Sequence, residues 1–151
     1  MNANIEYPAG LYGGTIATGS SVDLDRIGDG DIDFFHREGY LVVERAFDSG
    51  QIEAARQAVD DLIDGKNPDF RGLQLEPGIG AERAGDLEAA AKRRVVRKLM
   101  GFVDYDPRLK AMAADAPIGD LVERLMGDRP VLFQDMALLK GPGGREKPWH
   151  Q

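Results

Sequence analysis

Few side chains in this sequence are equipped for chemistry, and the two histidines, His36 and His150, come first. With no cysteine, thiolate zinc sites, iron–sulfur clusters, disulfides and a cysteine nucleophile are excluded, and any metal must be held by nitrogen and oxygen. His150 stands in Lys147-Pro148-Trp149-His150-Gln151, after the apolar run Phe133-Gln134-Asp135-Met136-Ala137-Leu138-Leu139-Lys140 and the loop Gly141-Pro142-Gly143-Gly144. A lone histidine usually reads as a surface residue. An imidazole with a carboxylate two positions further along a strand is different. Alternate strand residues point the same way, so the pair reaches one ion, and a distant third ligand leaves positions open for reactants. His36, beside Arg37 and Glu38 on a short polar-faced helix, lacks such a setting and reads as exposed.

Two further positions stand out. On a strand reading Lys98 projects with Val96 and Met100, where an ammonium suits an anionic ligand; the alternative is that it reaches to solvent along its own stem. Gln134, Met136, Leu138 and Lys140 share one face of the 131–140 run, so Met136 either lines a pocket or is plain core. The basic cluster Lys92-Arg93-Arg94-Arg97-Lys98 meets phosphates, such as those of a coenzyme A thioester, or forms a solvated face. The 141–144 loop is no phosphate loop, because it lacks the Gly-Lys-Ser/Thr ending and no helix follows it. Trp149 is either a wall of the site or buried packing.

Together these segments resemble the phytanoyl-CoA dioxygenase family of iron(II)/2-oxoglutarate oxygenases. The resemblance rests on the strand ending in Leu139-Lys140, the glycine-containing loop and Pro148-Trp149-His150-Gln151. It is extended by Phe35-His36-Arg37-Glu38-Gly39-Tyr40-Leu41-Val42-Val43, Val96-Arg97-Lys98-Leu99 and Asp106-Pro107, and so runs from about Asp31 to the last residue. It implies an iron ligand at His150, with Lys98, Met136 and Gln151 helping to position the keto acid. It also implies an aspartate directly after Gln151, and a second histidine and a carboxylate-gripping arginine further on. The activity implied is hydroxylation of an aliphatic carbon of a small organic substrate, an acyl-CoA among the candidates, with 2-oxoglutarate converted to succinate and carbon dioxide. A chain ending at Gln151 is expected to bind iron weakly and to be inactive by itself, since one imidazole does not hold iron(II) against water. A rival reading treats it as a non-catalytic truncated α+β module acting, if at all, through protein association at the unpaired edge of its last strand. The reading frame past Gln151 separates the two.

The length of 151 residues is that of one domain or a large piece of one, and 30% charged residues with 42% hydrophobic ones is a globular composition. No apolar run reaches the roughly 20 residues of a membrane span. The first residues lack the basic and apolar regions of a secretion signal, so a cytoplasmic location is expected. A net charge of −7 disfavours nucleic acid as a partner. The oligomeric state is open.

The elements that must position these residues are legible from their ends. Residues 1–30, rich in Gly, Ser and Thr without periodicity, read as a mobile N-terminal arm, and 31–151 as the N-terminal part of the oxygenase-like domain. A short helix with Ile32, Phe34 and Phe35 ends at Gly39, and a strand follows at 40–43. Asp48 and Gln51 form a capping box for a helix carrying Ile52, Ala55, Val59, Leu62 and Ile63 and closed by Gly65. A short strand is expected within 72–77, with Leu73 and Leu75 on one side. Residues 86–100 read as a helix to about Arg93 and then a strand. Asp106-Pro107 and Pro117 open two more helices, the second ended by Gly127. The 131–140 run reads as the strongest strand, buried on both faces. The fold class is therefore α+β, and the resemblance makes it the N-terminal helices and first strands of a double-stranded β-helix, a cupin-like jelly roll truncated here.

Overall fold

A computed structural model describes residues 21–80, 85 and 87–139. The chain divides into two compact units, Met1–Arg45 and Ala46–Gln151.

In the first unit β1 (Ser21–Asp23) and β2 (Val42–Glu44) pair in parallel, Val22 against Val43. A 3-10 turn at Leu24–Arg26 and helix α1 (Asp29–Glu38) form the crossover between them. Gly39 ends α1 with φ of 82°, the left-handed conformation that costs glycine least. Arg45 forms an ion pair with Asp23 across the two strands. Among the described residues regular structure is thus present from Ser21, ten residues before Asp31, because Ser21–Asp23 finds a strand partner that its composition does not advertise; residues 1–20 of the expected arm lie outside the described residues. None of the described residues of this unit is buried.

The second unit is built on helix α2 (Ser49–Ile63). The Asp48 carboxylate accepts from Gln51 N–H at 2.7 Å, and the Gln51 carbonyl Oε1 accepts from Asp48 N–H at 2.8 Å. This reciprocal pair satisfies donors that a helix start leaves open. The Gln51 amide also donates to Asp115 at 2.9 Å, which ties this end to the cap of a later helix. One face of α2 buries Ala58, Leu62 and Ile63. Ile52 stays 42% exposed, and fully buried Ala58 replaces it in the core.

Three antiparallel strands lie in the order β3-β4-β5: β3 (Leu73–Leu75), β4 (Val96–Met100) and β5 (Met136–Leu138). Helix α3 (Ala89–Val95) runs straight into β4, and Val96 takes extended dihedrals. Helices α4 (Pro107–Ala113) and α5 (Ala116–Met126) follow, capped by Asp106 and Asp115. The core joins Ala58, Leu62 and Ile63 of α2 to Phe70, Val96, Leu99 and Leu109, with Leu73, Leu75 and Ala137 packed partly against it. Each of these large side chains, fully buried, contributes about 1.5–3 kcal/mol.

The strand expected over 131–140 is shorter and more open than its composition implies. Among the described residues of the run only Met136–Leu138 is strand, and Val131 and Phe133 are 86% and 95% exposed. Among the described residues β5 pairs with β4 alone, at the sheet edge, and core residues cover only one of its faces. An apolar run reports the transfer preference of its side chains, not whether neighbours arrive on both sides. Among the described residues no helix is long and apolar enough to cross a membrane.

Candidate functional site

β4 supplies the centre of the site. Lys98 stands opposite Leu138 on one side and Gln74 on the other, and Met100 opposite Met136. Cross-strand partners share a face, so Gln74, Lys98, Met100, Met136 and Leu138 form one surface of the sheet. Leu73, Leu99 and Ala137 form the other surface, packed into the core. The first surface is open: Met136 is 41% and Leu138 62% exposed. Met136 is therefore not plain core. The Gln74 amide lies 3.6 Å from the Met100 sulfur. Among the described residues Lys98 has no carboxylate partner. An unpaired ammonium among thioethers and an amide, on a half-covered surface, is a setting for an anionic ligand.

Arg93 of the basic cluster, and Arg108 outside it, are used differently. Arg93 donates to Asp60 at 2.7 Å and to Asp64 at 2.8 Å, fastening α3 to α2. Arg108 bridges Asp61 at 2.8 Å and Asp106 at 2.7 Å, fastening α4 to the same helix. Hydrogen bonds from Lys66, Arg108 and Gln57 hold the Asp61 carboxyl well below the usual carboxylate range, and Arg108 lowers that of Asp106. A carboxyl depressed in the folded state stabilises it above the unfolded value of about 4 and loses that contribution as pH falls. The urea midpoint is accordingly expected to be flat from pH 7 to about 5 and to drop below about 4. In Asp61→Asn the drop should be shallower, and an identical acid slope in the variant would contradict this assignment.

A cavity of about 670 Å³ lies on the core side of the sheet, not on the Lys98 side. Ile52, Ala55, Val59, Met112, Ala137 and Leu139 line it, and neither Lys98 nor Met136 does. His150 and Gln151 lie outside the described residues, as do Lys140, the 141–144 loop and Trp149. His36 is exposed on α1, with its ring 5.5 Å from that of Phe35. Among the described residues no cluster of three or more His, Cys, Asp or Glu is placed to hold a metal ion. The described residues by themselves supply no iron site.

A family model described as phytanoyl-CoA dioxygenase matches residues 35–151. The chain belongs to this family. Phytanoyl-CoA dioxygenase family membership thus covers the whole second unit, and the mixed α+β architecture is compatible with it. The ectoine dioxygenase of Sphingopyxis alaskensis is similar, 26% identical over 118 residues that make up 77% of this chain and 34% of that protein. The chain spans about a third of the length of this relative. No solved structure gives a significant match.

Sequence reasoning missed two participants. Gln74 joins the Lys98 surface through the β3–β4 register, which single-strand periodicity does not reveal. Asp135 accepts from the backbone N–H groups of Gly101 and Val103, the latter at 2.8 Å. Its signal was there to read: a carboxylate inside an otherwise apolar run.

Proposed function

We propose that this chain is part of an iron(II)- and 2-oxoglutarate-dependent oxygenase that hydroxylates an aliphatic carbon of a small organic substrate. The observation carrying the proposal is that Lys98 and Met136, picked out separately from the sequence, fall on one open sheet surface in neighbouring strands. In this reading that surface is the inner wall of a jelly roll, and α2 and α4 cover its outside. Lys98 supplies a positive charge to a carboxylate of the keto acid, while Met136 and Gln74 shape the bed beside it. His150 is the metal-ligand position and Gln151 lies next to it. Bound iron would supply the oxygen activation that no protein side chain provides. Family membership and the dioxygenase relative support the reaction class; a free acid or an acyl-CoA thioester are both admissible substrates.

The test is succinate release from 2-oxoglutarate across a substrate panel, using the longest reading frame that carries this chain. Turnover dependent on both iron(II) and 2-oxoglutarate is expected, and its absence with every metal and substrate tried would overturn the proposal. Lys98→Met should raise KM for 2-oxoglutarate about tenfold or more, because a hydrogen bond to a charged group contributes roughly 1.5–3 kcal/mol. An unchanged KM would remove Lys98 from the site.

A further inference from the structure

Resting on the proposed function, we infer that Asp135 is a positioning residue which fixes the register of β5 on β4 and thereby holds Met136 on the Lys98 surface. Besides this carboxylate, β5 is held by its short ladder, by the Leu139 N–H donating to the Arg97 carbonyl at 2.9 Å, and by the packing of Ala137 and Leu139 on the core. Its ladder covers three residue pairs at the sheet edge. Met136 and Leu138 are exposed, so the strand packs against the core through Ala137 alone, with Leu139 just beyond it. Where burial is this slight, register is weakly specified, and a slip of one residue would carry every side chain to the opposite face.

The Asp135 carboxylate compensates. It accepts from Gly101 N–H through one oxygen and from Val103 N–H through the other, at 2.8 Å. Gly101 directly follows β4 and takes φ of 65°, and Val103 is buried. The carboxylate therefore clamps the exit of β4 to the residue just before β5. With the two ends locked, Met136 can meet only Met100, and Leu138 only Lys98. Without the clamp a buried backbone donor loses its partner, which opposes any arrangement that keeps β5 in place.

The experiment compares Asp135→Asn, which keeps one acceptor, with Asp135→Ala, which keeps none, in the longest reading frame carrying this chain. Succinate release is measured against 2-oxoglutarate concentration, and amide exchange is followed at Gly101, Val103 and Leu139. The alanine variant should raise KM for 2-oxoglutarate about tenfold while kcat changes less than about threefold, with the asparagine variant between it and the unmutated protein. Exchange at the three amides should accelerate in the same order. Faster exchange with an unaltered KM would overturn the inference and reduce Asp135 to a structural staple. An equal fall in kcat with constant KM would overturn it as well. If Asp135→Ala does not fold, as judged by loss of α2 protection, the asparagine variant decides by the same criteria. No turnover in the unmutated protein would remove the proposed function and this inference together, whereas turnover with an unaltered KM in the variants removes the inference alone.

Discussion

Gly72→Ala should lower the free energy of unfolding by about 3 kcal/mol, the upper part of the range for overfilling a packed site. A Cβ at this position would stand 1.8 Å from the Met100 carbonyl oxygen and 2.6 Å from Phe70 Cε2. The ring has some freedom to turn aside. The carbonyl has little, since Met100 sits in the central strand and its own N–H donates to the Gly72 carbonyl at 2.9 Å. Relief requires the β3 entrance to move away from β4, which breaks that hydrogen bond and disturbs the packing of Leu73 on Leu99. For a chain of this length the melting temperature should fall by roughly 6–12 °C. Gly119→Ala is the control: it lies within α5, a Cβ there meets nothing within 4 Å, and the change should stabilise by up to about 1 kcal/mol. Equal midpoints for Gly72→Ala and the unmutated chain would show that the two backbones do not approach as described.

His150→Ala should have the larger effect on turnover, under the proposed function. Changing residues that merely orient metal ligands costs roughly 10–100-fold in metal affinity or activity. Removing a ligand should therefore lower succinate release by on the order of a hundredfold or more. Iron(II) affinity, followed anaerobically by calorimetry, should fall with it, because a facial triad reduced to two ligands competes poorly with water. His36→Ala is expected to leave both quantities within about twofold, since His36 is exposed on α1, with its ring beside that of Phe35. Full turnover in His150→Ala would remove the metal-ligand assignment at this position. Loss of turnover in both variants would point to a fault in folding.

Helix ends were the most legible part of the sequence, because a cap is a local bargain between one side chain and the backbone beside it. Asp48 with Gln51, Asp106 before Pro107, and the glycines at 39 and 127 are all where their chemistry predicts. The α3-to-β4 change was legible within about two residues. What failed depends on partners distant in sequence. The first unit's strands pair across about 20 residues, and among the described residues the 131–140 run has three residues of strand, paired with β4 alone. For the site, the residue types at Lys98 and Met136 were readable one at a time. Their shared surface was not, since it is set by the register of two strands some 40 positions apart. The carboxylate of Asp135 was likewise readable as a residue type, but not its two backbone donors, which lie more than 30 residues upstream.

In β4 the fully buried Leu99 sits between Lys98 and Met100, so under the proposed function stability and ligand preference occupy adjacent positions on opposite sides of one thread. Substitutions that retune recognition can therefore accumulate at 98 and 100 with little penalty to folding, while 99 tolerates almost none. A single-residue insertion or deletion in this strand would exchange the two roles at a stroke, burying an ammonium and exposing a leucine. Lineages that diversify their substrates would be expected to vary by replacement here and to place length changes in the connecting loops.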